Sequence, residues 1–198
     1  MPSDNPQTAL VSLHCQPTRD GDALVFPYQI SNGSRVDIYV MDAVPEWDAD
    51  AGKAHIDANG VTIAMAADGF AHILKGIAPL PPGRSVAVRI IPLAAKVPPG
   101  GTLERRLVVG LPLHETGPYH PDLPIRQYRQ REIAGIVLTV QFLPSSAEGF
   151  GAAPADIAPG LFRVMAQNTV GSVVSVSCRF PSRGLTILQR SDDFPRPD

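Results

Sequence analysis

The densest polar stretch of the chain is His114-Glu-Thr-Gly-Pro-Tyr-His-Pro-Asp122. Two imidazoles, two carboxylates and a phenol stand within nine residues there, and imidazole and carboxylate are the ligands zinc and related divalent ions take. His114, Glu115, His120 and Asp122 therefore form a candidate metal site. Two histidines separated by five residues, with Pro118 between them, match no established ligand spacing, and a further ligand would have to come from elsewhere. The competing reading is a polar loop at one end of the fold, with no cofactor.

A second acidic stretch, Asp48-Ala-Asp50-Ala-Gly52, has the alternate carboxylates that open a calcium loop. It lacks the third ligand, the later glutamate and the flanking helices that such a loop needs, and Lys53 follows where a cation would be repelled. Trp47 beside it is a better candidate for contact with a partner, because a buried indole is a common anchor of interfaces; it can equally fold back as a lid on the core. Arg126-Gln-Tyr128-Arg129-Gln-Arg131, joined by Arg105 and Arg106, is a basic run interleaved with an aromatic. Guanidinium groups and a tyrosine can grip phosphate or stack on a base. With a net charge of −2 for the whole chain, an acidic protein partner or a solvated strand edge fits this run better than nucleic acid. Trp47, Tyr119, Arg126, Tyr128 and Arg129 are thus the partner-binding candidates.

Nucleophilic catalysis finds little footing in the sequence. It contains no G-x-S-x-G elbow, no P-loop and no C-x-x-C. Glu104, Glu115 and Glu132 are acids without a visible partner. His72 shares a parity with Phe70 and Leu74 and is expected to be a buried imidazole, whereas His14 is expected to face outward. Cys15 and Cys178 both fall on the inward parity of their strands, which suits free, buried thiols in a reducing compartment.

These residues must be positioned by strands. Leu24, Phe26, Tyr28 and Ile30 share one face of a first run and Val36, Ile38 and Val40 one face of a second, so each run buries one face. Asn32-Gly33 between them is a strong hairpin signal. A two-residue loop would pair Ile30 with Arg35, so the parity favours a three-residue loop from Asn32 to Ser34, pairing Ile30 with Val36, Tyr28 with Ile38 and Phe26 with Val40. The alternative is a crossover between two facing sheets, in which no pairing is required. Pro27 cannot donate to a ladder and is expected at an edge or a bulge. Further alternations start at Ala9, Val61, Phe70, Val86, Leu103, Ile136, Phe162, Val174 and Leu185. Residues 144–160 are small and almost apolar-free, which reads as a long flexible loop, after which 161–190 return strands to the same domain.

With 21 prolines and 17 glycines in 198 residues, many turns separate these short strands. The chain can bury a core without disulfide or metal staples. The segment YQISNGSRVDIYV, Tyr28 to Val40, is a strand ending in Asn-x-Ser followed by an apolar strand. It resembles the strand–turn–strand of immunoglobulin-like modules, which implies architecture but no ligand. The expected fold is all-β: one domain over 1–198, an immunoglobulin-like antiparallel sandwich of about ten short strands with long Pro/Gly-rich loops. The expected role is a non-enzymatic module that binds a protein partner or forms a homo-oligomer through its end loops; the alternative is metal-dependent chemistry at 114–122. No apolar run approaches the roughly 18 residues of a membrane span, and the N-terminus has no secretory pattern, so a cytoplasmic setting is expected.

Overall fold

The computed structural model describes residues 10–48, 50, 52–80, 89–119 and 123–191, without the side chains of Trp47 and Asp48. It is mostly β. In chain order the strands begin with β1 (Val11–Cys15), β2 (Thr18–Asp20), β3 (Ala23–Asn32), β4 (Ile38–Asp48), β5 (Lys53–Asp57), β6 (Thr62–Met65) and β7 (Phe70–Lys75). Next come β8 (Leu93–Val97), β9 (Thr102–Gly110), β10 (Leu113–His114), β11 (Tyr128–Glu132) and β12 (Gly135–Pro144). β13 (Gly151–Pro154), β14 (Leu161–Met165), the four-residue helix α1 (Thr169–Ser172), β15 (Val174–Pro181) and β16 (Thr186–Arg190) complete the chain. The described helices include none long and apolar enough to cross a membrane.

β1, β2 and β9 all pair with β3 in one sheet. A larger sheet runs β13-β14-β8-β4-β12-β7-β6, with β15 on β12 and β5 on β4, and a third, small sheet runs β10-β16-β11. Two pairings, β7 with β12 and β10 with β16, are parallel, so the arrangement is not purely antiparallel as expected. The inner faces of the first two sheets share one core: Phe26 and Ile30 of β3 and Leu107 of β9 meet Val40, Ile73, Leu138 and Phe142. These side chains are essentially inaccessible.

The two central runs keep their expected parity but not their expected pairing. β3 has β1 on one side and β9 on the other, so it has no edge to offer β4, which pairs instead with β8 and β12. The Asn-Gly step is therefore a crossover between facing sheets. None of the described non-glycine residues has positive φ, and Gly33 is not among the glycines that do, so no primed hairpin turn forms. Gly33 is needed for a different reason: a Cβ there would sit 2.8 Å from the Leu10 carbonyl oxygen, to which its own N–H donates. Asn32, 1 % exposed, latches the crossover. Its amide donates to Val36 O and to Val97 O of β8, both at 2.9 Å, and its Oδ1 accepts from Ser34 N and Ser34 Oγ.

Pro27 lies mid-strand rather than at an edge or bulge. It faces the break between β1 and β2, where its carbonyl accepts from Gln16 N at 3.4 Å and no donor is required of it. Within 144–160, Gly151–Pro154 form β13 on β14, so this stretch is not one continuous loop. Small side chains conceal that strand, because backbone pairing at an exposed edge needs no apolar residue. Beyond it β14 and β15 join the large sheet and β16 the small one. The expected strand from Val86 falls largely on 81–88, outside the described residues.

Candidate functional site

β4 changes partners along its length, and polar chemistry gathers where it does. It lies on β8 as far as Ala43 and continues from Val44 as a hairpin with β5, and its register on β8 slips between Met41 and Ala43. The residue in that bulge is Asp42, following Ile38 and Val40 on the inward parity; bulges commonly re-aim a side chain in this way. Asp42 is 4 % exposed and meets two side chains from the opposite sheet, Tyr28 and Arg105, which are cross-strand neighbours. Arg105 Nε lies 2.8 Å from Asp42 Oδ2, and the Tyr28 hydroxyl lies 3.5 Å from the same oxygen.

Lys75, the last residue of β7, completes the group at 2 % exposure. Its ammonium donates to Asp42 O at 2.7 Å and Ala58 O at 2.6 Å, tying the bulge to the turn after β5. A buried charge is tolerated only when paired and hydrogen-bonded. Burial pushes the Asp42 carboxyl up, opposed by Arg105 and Lys75. Burial likewise pulls Lys75 down, opposed by Asp42 and Asp57. Burial and the Asp42 charge raise Tyr28 well beyond the ordinary phenol range. Asp42 Oδ1 is buried without a hydrogen-bond partner among the described residues.

Next to this cluster opens a cleft of about 400 Å³, lined by Leu74 and Gly76 on either side of Lys75. Its walls are each tied to the scaffold. On one side Asp57 Oδ1 accepts Asn59 N at 2.8 Å, and Asn59 Oδ1 accepts Val108 N at 3.0 Å. On the other, Ile63 and Thr116 exchange two backbone hydrogen bonds of 2.9 and 3.0 Å, and the Tyr119 hydroxyl accepts from Ile90 N at 2.9 Å. Gln141 Oε1 accepts from Ile77 N at 2.8 Å behind it. Such anchoring gives a pre-formed cleft, the usual condition of a small-molecule site.

The residues singled out by sequence are distributed differently. Glu115 is committed to the backbone, its two oxygens accepting Met65 N and Arg190 N at 2.8 Å each. His114 is exposed, its ring edge-on to Tyr128 with centroids 5.6 Å apart. His120 and Asp122 lie outside the described residues, as does the Trp47 side chain. Among the described residues there is no group of three or more His, Cys, Asp or Glu side chains placed to hold a metal. Tyr119 is half-buried and used by Ile90. Arg126, in a 3-10 turn over Ile125–Gln127, and Arg129, on β11, are exposed.

His72 is not the buried imidazole expected. Its side chain is 46 % exposed, 4.0 Å from Asp68, because the inward residues of β7 are Ala71, Ile73 and Lys75. Phe70 suggests the opposite parity because it too is buried, but on the outer face, beneath the Arg179 guanidinium at 3.5 Å from its ring centroid. His14 does face outward. Both cysteines are free, and Cys178 Sγ donates to Leu13 O at 3.0 Å. Burial, with the neighbouring Cys178, pushes the Cys15 thiol up to about 12.

The charged cluster, absent from the candidates that motif and local density suggest, does leave a signal in the sequence. Arg105 shares the parity of Leu103, Leu107 and Val109, and Asp42 that of Ile38 and Val40, so both interrupt faces that are otherwise apolar. Compared with protein-family models, with curated proteins and with solved structures, the chain matches none.

Proposed function

We propose that the chain is a binding module of immunoglobulin-like sandwich architecture that takes an extended acidic segment of a partner protein along β11. The observation that carries this reading is the position and chemistry of that strand. β11 ends the order β10-β16-β11, and among the described residues no strand pairs with its outer edge. An incoming extended segment can add to the end strand of a sheet through backbone hydrogen bonds. From Arg129 to Glu132 every residue is exposed; Arg126 and Ile125, the latter 69 % exposed, lead into it. Three guanidinium groups within six residues match carboxylates with fork geometry, and Tyr128 is held between the His114 ring and Arg190.

The test is fluorescence anisotropy with a labelled peptide alternating Glu and Val. Saturable binding that weakens as salt rises is expected, with loss of at least tenfold in Arg126→Glu, Arg129→Glu, Arg131→Glu together. Unchanged binding by that triple variant would reject the β11 edge.

A further inference from the structure

We propose that the cleft beside the β4 bulge is a binding site for an organic cation: an ammonium group on an apolar stem. This is independent of β11 and of the acidic partner proposed for it. At about 400 Å³ the cleft falls in the range of small-molecule pockets, roughly 300–1,000 Å³. Its apolar walls include Val44, Val61, Leu74 and Ile90, and among the described residues its ionisable lining is the carboxylates Glu46 and Asp57. No Lys, Arg or His side chain is among its described lining residues.

The two acids stand together by register. Val44 pairs with Asp57 and Glu46 with His55, so all four project from one face of the β4–β5 hairpin and Glu46 is the diagonal neighbour of Asp57. Diagonal neighbours lie about 7–8 Å apart, and like charges so placed repel. Glu46 Oε2 lies 3.3 Å from His55 Nε2, and Asp57 faces the charge of the buried Lys75 behind the wall. A cation between the two would relieve the repulsion from the solvent side.

Asp57 is also held ready. Asn59 N fixes its Oδ1, and the next wall residue is Gly60, where a Cβ would stand 3.0 Å from Asp57 Oδ2 and 2.9 Å from Val44 Cβ. Glycine there leaves the carboxylate its place at the wall. The polar end of a ligand thus meets the anchored Asp57 carboxylate and the exposed Glu46 carboxylate, and its stem meets Leu74 and Ile90.

Titration of the full chain with hexylammonium, followed by amide chemical shifts, tests this. Saturable shifts confined to residues around Val44, Asp57, Leu74 and Ile90 are expected, with none from hexanoate. Glu46→Gln and Asp57→Asn should each weaken binding about fivefold, as removing one partly exposed ionic contact does; asparagine at 57 keeps the acceptor for Asn59 N, so the fold is retained. N-acetyl-lysine-N-methylamide, run in parallel, separates the two sources of such an ammonium. Tighter binding of hexylammonium supports a free amine, and tighter binding of the capped lysine supports a partner's side chain. Equal response to hexanoate, or no saturation by tens of millimolar, would overturn the site. The triple arginine variant should bind hexylammonium unchanged, so this proposal and the β11 reading fail separately.

Discussion

The ionic cluster beneath the β4 bulge and the run from His114 to Arg131 are made of the same kinds of side chain and do opposite things. Tyr28, Asp42, Lys75 and Arg105 come from four strands far apart in the chain, and the fold draws them into one largely buried group. The residues from His114 onward are crowded in sequence, and the fold separates them: Glu115 to two backbone amides, Tyr119 to Ile90, His114 and Arg129 to the surface. Density along the chain therefore misjudges where electrostatics matter. Burial decides, because a charge pair is worth little in water and cannot be left half-made in the core.

The sharpest way to break this contrast is Asp42→Ala. It leaves the buried Lys75 with Asp57 as its remaining counter-charge, for which up to about 3 kcal/mol of lost stability is expected in urea denaturation. Arg105, 39 % exposed in its side chain, can turn to solvent and softens the loss. Adding Lys75→Met to Asp42→Ala should recover part of it, since removing both charges is cheaper than stranding one. If the double variant is no more stable than Asp42→Ala alone, the cluster does not act as an ionic unit.

How much of this can be read from sequence depends on the strand. For β3, β4 and β9 the alternation alone puts Tyr28, Asp42 and Arg105 on inward faces, because each breaks a row of apolar residues. For β7 the same logic fails. Phe70 and Leu74 outweigh Ala71 and Ile73 as hydrophobes, yet they lie on the face covered by Arg179 and by the cleft, so the alternation points Lys75 outward when it is inward. The Asn32 crossover is hidden for a different reason: the turn chemistry is local, while the choice between hairpin and crossover is made by β1 and β9 occupying both edges of β3. Register between sheets is a global property that no window of residues contains.

Cys15, the cross-strand neighbour of Tyr28, supplies a buried group at the margin of the ionic cluster. Its thiol is raised from 9.0 to about 12, mainly by burial. A group whose folded pKa is raised contributes stability that is present below the unfolded value and is lost as pH climbs toward the folded one. Between pH 9 and 12 the wild type should therefore lose stability that Cys15→Ala does not, about 2–3 kcal/mol by pH 11. Comparing the two curves removes the contribution of Lys75, which is common to both. Parallel curves would mean that Cys15 is open to solvent.

Glu115 sharpens the comparison from the other side. In a metal site its loss would abolish ligand binding and leave the fold alone; as an acceptor for Met65 N and Arg190 N it should do the reverse. Glu115→Ala is expected to cost about 2 kcal/mol, since two amides lose a charged partner. Hydrogen exchange at Met65 and Arg190 should accelerate with it, and unaltered protection at both would contradict the assigned role.

The smallest effects belong to His114 and Arg129. Each is exposed, and substitution of such residues by alanine is expected to change stability by less than about 0.5 kcal/mol. That indifference is what makes them informative. A fold keeps a buried ion for reasons of packing and solvation, so a mutation at Asp42 cannot separate structure from function. At β11 it can, because Arg129→Ala combined with Arg131→Ala should leave the unfolding midpoint in place and still lower affinity for an acidic strand severalfold. A fall in stability as large as that from Glu115→Ala would move these arginines into the same class as the buried cluster and remove the contrast.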